Sequence, residues 1–285
     1  MLSRRRFNAA ALIAGASAML GESFSYAAPA DSFEALFNRA LAHPEMLQGA
    51  GSEREGLAQL YDYHITKAIA PRVKPSGRPI SEDAIKLIIL FEVTGRVAYE
   101  RKYQNPVWPG GQSGVTVGIG YDLGYVTYEW LKSDWESYLS ADQIESLKGA
   151  CGLRGGTAQR SLSDFSAVSI PWDQAQSQFK SNLIPRYVGE TLARLPNAEK
   201  LSNDSLGAMV SLVYNRGASF RVEKDRYKEM RAIRGYMEAE QYDLIPDQIR
   251  KMKRLWDKKK NMQGLLTRRD LEADLFERGL SVNNT

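Results

Sequence analysis

Apolar residues recur at helical spacing along much of this chain, and between Ile85 and Phe91 they cover almost the whole helical circumference. Ser81 followed by Glu82 and Asp83 reads as the start of that helix: a short hydroxyl caps free amide groups, and acids favour the positive end. Ile85, Leu87, Ile88, Leu90 and Phe91 then predict a helix buried against others. It places Glu92 at the end of a core helix, where partial desolvation raises a carboxyl pKa.

Upstream, Asp31 to Leu41 and Glu53 to Ala68 have helical spacing and are separated by Gly49, Gly51 and Ser52. Residues 70–80 carry three prolines and a glycine, which favours an extended linker. From Val97 to Tyr125 short aromatic and β-branched runs, broken by Asn105-Pro106 and Trp108-Pro109-Gly110-Gly111, predict a small β-hairpin region. Past Thr127 the texture is helical again, with starts near Thr127, Ser140, Pro171 and Ser202 and stops near Gly152, Pro196 and Gly217. Ser140 with Gln143 fits a capping box. The fold class that follows is α+β, mainly α, with a small β-hairpin region and a helical C-terminal lobe; no internal repeat is present.

Charge and composition narrow the function. The chain has 285 residues, 43% of them hydrophobic and 25% charged, with a formal charge of +4, which is ordinary globular composition. Residues 1–27 hold Arg4, Arg5 and Arg6 against Glu22, so the remainder carries only +2. Arg250, Lys251, Lys253, Arg254, Lys258, Lys259 and Lys260 face a single Asp257 between residues 248 and 260. That run is either a solvated helix face or a dock for an anionic polymer, and it does not by itself make a nucleic-acid-binding protein.

Met1 to Ala27 has the parts of a signal peptide: a cationic start, an apolar run from Phe7 to Leu20, and the small-residue exit Ser25-Tyr26-Ala27. The apolar run is too short to span a bilayer comfortably, and Ser3-Arg4-Arg5-Arg6-Phe7 resembles a twin-arginine signal. The expected location is periplasmic or secreted. Cys151 is the single cysteine, so no disulfide framework exists. His43 and His64 are the only histidines and have no metal-ligand spacing around them, which leaves little material for a Ser-His-Asp triad or a metal site. We expect no metal and no cofactor.

The chemistry concentrates in Phe91-Glu92 and, 24 residues after Glu92, in Thr116-Val117-Gly118-Ile119-Gly120-Tyr121-Asp122. Two later stretches belong with them, Leu206-Gly207-Ala208-Met209-Val210-Ser211-Leu212-Val213-Tyr214-Asn215-Arg216-Gly217 and Gly264-Leu265-Leu266-Thr267-Arg268-Arg269-Asp270-Leu271-Glu272. In parts and order these resemble the phage-type lysozymes of the glycoside hydrolase family 24 kind, and most nearly their pesticin-like branch, over about residues 81–278. The resemblance implies a lysozyme-like fold over 81–285, preceded by a signal peptide (1–27) and a helical lead-in with linker (28–80). It also implies a monomeric muramidase that acts on peptidoglycan glycan strands.

Glycoside cleavage needs a carboxylic acid to protonate the leaving oxygen and a second group to manage the attacking water or the oxocarbenium charge. The resemblance makes Glu92 the acid, Asp122 the base or charge stabiliser and Thr116 the residue that positions water. Tyr121, Asn215, Gly118, Gly120 and Arg268 become substrate-side residues. Arg268 would pair with the catalytic glutamate. Alternatives stay open at several positions. Asp122 can instead cap the Leu123-Gly124 bend. Arg268 or Arg269 can pair with Glu272 along their own helix. Tyr99, Tyr103, Trp108, Tyr121 and Tyr125 are either cleft aromatics or core. Gly118 and Gly120 either bend the strand or let a sugar approach. Where the simpler phage lysozymes carry an Asp or Cys and a His, this chain has Arg101 and Tyr121, which leaves Glu100 as a second candidate carboxylate. The alternative functions are a lytic transglycosylase and a catalytically silent peptidoglycan-binding protein.

Overall fold

The computed structural model describes residues 33–42, 72–256 and 262–282. The signal-peptide reading of 1–27, the Glu53–Ala68 helix, His43, His64 and Lys258 to Lys260 lie outside the described residues. The first helix, α1 (Phe33–Ala42), buries Phe33, Phe37 and Ala40, with the two rings stacked at 5.8 Å. Residues 72–80 form neither helix nor strand, as their prolines favour, but they do not hang free. Ser76 N–H donates to the Pro185 carbonyl at 2.9 Å, and the Arg78 guanidinium reaches Asn203 and the Leu201 carbonyl at 2.7 and 2.8 Å.

Ser81 then caps α2 (Glu82–Val93), its hydroxyl accepting from Ala84 N–H at 3.3 Å. Eight of the twelve residues of α2 are buried, as its unbroken apolar surface predicts. The helix stops at Thr94, which adopts φ 66°, and Gly95 releases the chain into α3 (Arg96–Lys102).

Here the sequence reading needs correcting: Val97 to Lys102 is helical, not part of a hairpin. Its aromatic and β-branched content is overridden by docking, because Tyr99 is wholly buried, donates its hydroxyl to the Ile170 carbonyl at 2.9 Å and meets Trp172 edge-on at 5.4 Å. The sheet itself is small. Strands β1 (Thr116–Val117) and β2 (Tyr121–Asp122) pair antiparallel in the register Thr116↔Asp122 and Val117↔Tyr121, with one extra bridge from Val107 to Thr116.

The later helix starts follow their short hydroxyls and prolines. Thr127 caps α4 (Tyr128–Trp135), and Ser140 with Gln143 forms the capping box of α5 (Ala141–Leu147). Gly152, at φ 77°, turns the chain away from that helix before α6 (Gly155–Ser161). Pro171 precedes α7 (Trp172–Gln178), which runs through a π-turn (Phe179–Leu183) into α8 (Ile184–Arg194). Pro196 forces Leu195 into extended backbone and ends α8. Ser202 caps α9 (Asn203–Arg216), which ends at Gly217. Three more helices follow: α10 (Lys228–Glu238), α11 (Ile245–Lys251) and α12 (Gln263–Val282). The result is a mainly helical α+β fold.

Helix α9 is the axis of the core, buried at every position from Ser205 to Arg216 and packed on α12, α2 and α8. The approach of α2 depends on Gly207, where an added Cβ would stand 2.3 Å from the Cβ of Ala84. At the far end Arg278 on α12 ties Asp204, Asp83 and Glu34 together at 2.7, 2.7 and 3.1 Å, joining α9, α2 and α1. Among the described residues the cations of the basic run are paired: Arg250 with Asp274 and Glu277, Lys251 with Asp247, Lys253 with Asp270, and Arg254 with Asp225 and Glu229. Among the described residues no helix is long and apolar enough to cross a membrane.

Replacing Gly207 by valine forces α9 away from α2. We expect a loss of about 2 kcal/mol of stability from overpacking, read as a lower urea midpoint at unchanged slope. A parental midpoint would mean that this contact does not set the helix spacing.

Candidate active site

Glu92 lies one residue before the end of α2, with its side chain 16% exposed. Its Oε1 accepts from the Arg268 guanidinium of α12 at 3.0 Å. Arg268 is completely buried, so it has to be satisfied on all sides. It donates through Nε to Glu272 Oε1 at 3.1 Å and through its other terminal nitrogen to the Ser211 carbonyl and hydroxyl at 3.1 and 3.2 Å. Ser211 in turn donates to Glu272 Oε1 at 2.6 Å, and Arg269 reaches the same oxygen at 3.1 Å. Arg269 also donates to the Asn215 side-chain oxygen at 2.9 Å. The cross-helix pair with Glu92 and the pairs along the helix with Glu272 are therefore both present.

Two opposing influences meet at Glu92. Burial raises its pKa, the Arg268 charge and hydrogen bond lower it, and burial prevails, so the group holds its proton above the ordinary carboxylate value.

Opposite Glu92 runs the turn between β1 and β2. Gly118 and Gly120 both have positive φ, 59° and 73°, a conformation that strains any other residue. Each also lacks a side chain for a steric reason. A Cβ at Gly118 would strike the Trp135 ring at 2.7 Å; one at Gly120 would stand 2.7 Å from the Tyr214 hydroxyl and 3.4 Å from Glu92 Oε2. The Tyr214 hydroxyl donates to the Ile119 carbonyl at 2.7 Å, fixing the turn to α9. The glycine strand thus passes directly beside the second oxygen of Glu92.

The register puts Thr116 and Asp122 on one face of the hairpin and Val117 and Tyr121 on the other. Asp122 accepts from Gly124 N–H at 2.8 Å and from Gly114 N–H at 3.0 Å, so it caps the Leu123-Gly124 bend and ties down the strand entry. Burial pushes its carboxyl up to about 7, against the pull of those two amides and the Arg154 charge. Thr116 is half-buried and donates a long 3.4 Å bond to the Gly114 carbonyl. Glu100 sits exposed on α3, paired with Arg96 at 2.8 Å.

Two substrate-side expectations fall differently. Tyr121 is 1% exposed, its ring against Trp135 and its hydroxyl donating to Asp134 at 2.7 Å, so it is a core residue that a sugar would have to dig out. Asn215 is 5% exposed and occupied by Arg269. Of the remaining aromatics, Tyr99 and Tyr103 are buried, whereas Trp108, on the loop before β1, and Tyr125, just after β2, keep partial exposure. Tyr214 and Ser211 did not stand out in the sequence as individual residues. Their signal was only their place on a helix ending in Tyr-Asn-Arg-Gly. Among the described residues no group of His, Cys, Asp or Glu is arranged to hold a metal ion. The sequence matches no protein-family model and no curated protein.

The raised Asp122 pKa has a thermodynamic consequence. Between about 4 and about 7 the folded chain keeps a proton that the unfolded chain has released. This group's contribution to stability therefore falls as pH rises through that window. Asparagine at 122 retains an acceptor oxygen for both amides but carries no charge. Urea melts across the window should fall less steeply with pH for Asp122→Asn than for the parent, and identical slopes would show that Asp122 ionises normally.

Proposed function

We propose that this chain is a peptidoglycan hydrolase of the muramidase type, cleaving the β-1,4 bond between N-acetylmuramic acid and N-acetylglucosamine. The observation that carries the reading is Glu92. It is a nearly buried carboxyl with a raised pKa, one oxygen on a fixed guanidinium and the other beside Gly120. A general acid must be protonated before the bond breaks and stable as an anion afterwards. Burial serves the first requirement and Arg268 the second. Because Arg268 is already in place, the charge that appears on Glu92 as its proton leaves meets a preorganised partner.

In this reading Glu92 gives its proton to the glycosidic oxygen as the bond to the anomeric carbon breaks, and water supplies the new hydroxyl. Asp122 is the base or charge stabiliser. A carboxyl with a pKa near 7 is suited to accept a proton from water at neutral pH, and its two amide hydrogen bonds fix its direction. Thr116 shares its face of the hairpin and would position the water. Gly120 keeps the turn between the strands close to the acid. The order of motifs along the chain, which resembles that of the phage-type lysozymes, supports the same reading, and the signal-peptide reading of residues 1–27 agrees with a substrate outside the cytoplasm.

Glu92→Gln preserves shape and removes the proton. Clearing of purified cell walls should drop by roughly 100-fold or more, with released fragments from the parent ending in reducing sugars by mass spectrometry. Wall clearing at the parental rate by Glu92→Gln would sink the proposal, and anhydro-muramic ends would make the enzyme a lytic transglycosylase. In the parent, the limb of the pH–rate profile governed by Asp122 should lie near 7; Asp122→Asn should abolish that limb, and a limb left in place would remove Asp122 from the reaction.

A further inference from the structure

Residues 72–78 precede the stretch that resembles the phage-type lysozymes, about residues 81–278, yet they are laid into the body of the fold. In the middle of this strap the Lys74 carbonyl lies so close to α8 that a Cβ at Gly189 would stand 2.2 Å from it, and Ser76 N–H donates to the Pro185 carbonyl at 2.9 Å. At one end Arg78 holds Asn203 and the Leu201 carbonyl, at the entrance of α9. At the other end Arg72 reaches the hairpin. Its guanidinium bonds both oxygens of Asp134 on α4, at 2.9 and 2.7 Å, lies over the Trp130 ring at 4.3 Å and donates to the Tyr121 hydroxyl at 3.4 Å. That hydroxyl donates in turn to Asp134 Oδ2 at 2.7 Å, which closes a triangle of three side chains. The Arg72 and Asp134 side chains are only 20% and 14% exposed, and the next cation, Arg186, stands 4.0 Å from Asp134.

The triangle bears on the acid through the backbone. Tyr121 follows Gly120, the residue that lies beside Glu92 Oε2. The two strands pair over two residues each, a sheet too small to be rigid by itself. Tyr214 restrains the tip of the turn through the Ile119 carbonyl, and Arg72 with Asp134 restrains the strand that leaves it.

We propose that Arg72 is a positioning residue of the candidate active site: residues 72–78 form a brace that runs from α9 across α8 to Tyr121 and so holds Gly120 against Glu92. The sequence reads this segment as a linker; the contacts make it a working part of the catalytic domain.

Amide hydrogen exchange, followed by NMR on the full chain, tests the brace without reference to catalysis. Thr116 N–H donates to the Val107 carbonyl at 2.8 Å and Leu123 N–H to the Val115 carbonyl at 2.9 Å, so both amides report on the hairpin. Arg72→Met should speed their exchange by roughly tenfold. Wall clearing reads the consequence and rests on the muramidase reading. With every variant folded by circular dichroism, Arg72→Met should lower kcat about tenfold and leave KM nearly unchanged, and Arg72→Lys should recover part of the loss. Tyr121→Phe removes the same contact, so the double variant should lose little more kcat than either single one. A residue that only adds stability would lower the urea midpoint and leave hairpin exchange and the kcat of the folded chain as in the parent. Parental exchange at Thr116 and Leu123, a parental kcat in Arg72→Met, or additive losses in the double variant overturns the proposal. Failure of the muramidase reading shows separately, as parental wall clearing by Glu92→Gln, and leaves the exchange result standing.

Discussion

Two adjacent, fully buried arginines on α12 meet at a single carboxylate oxygen. Glu272 Oε1 receives Arg268, Arg269 and the Ser211 hydroxyl at 3.1, 3.1 and 2.6 Å. Taking a guanidinium out of water is costly, and removing one member of such a set leaves an uncompensated charge, a loss of about 3–5 kcal/mol. The network thus fixes the rotation of α12 against α9. Once that rotation is set, Arg268 can point only toward the end of α2, where Glu92 is.

The hairpin is placed by the same axis. Tyr214, three residues after Ser211 on α9, holds the Ile119 carbonyl, and Gly207 on that helix lets α2 come close. One buried helix therefore sets the position of the acid, of its guanidinium and of the glycine strand. This explains why α9 tolerates so few surface features: each of its faces has a separate partner to position.

How much of this could be read from the chain differs by feature. Helix starts at Ser81, Thr127, Ser140 and Ser202 were legible because capping is local chemistry, fixed by one side chain and the amides just after it, and the start after Pro171 because proline is tolerated at a helix entrance and not inside it. The glycines at 118 and 120 were legible as a close approach, although which atoms approached was not. Residues 97–102 misled because Tyr99 and Val97 suit a strand and became helical only through docking on α7. Tyr121 was open between cleft and core. In strands of two residues, alternation gives no run long enough to assign a face, so the sequence could not tell that Tyr121 points into the core while Asp122 points away from it.

The electrostatics of Glu92 follow from the packing. An acid fully sequestered from water would stay protonated and give nothing up; one fully exposed beside an arginine would be ionised and have nothing to give. Glu92 lies between these limits because α2 delivers it to the edge of the core, with 16% of its side chain open, while Arg268 arrives from behind. Neither influence can be tuned without disturbing the helices, since burial comes from α2 against α9 and the guanidinium from α12 against α9. The protonation state of Glu92 is therefore a property of how three helices pack, and a change far from the acid that rotates any one of them alters its pKa before it alters its position.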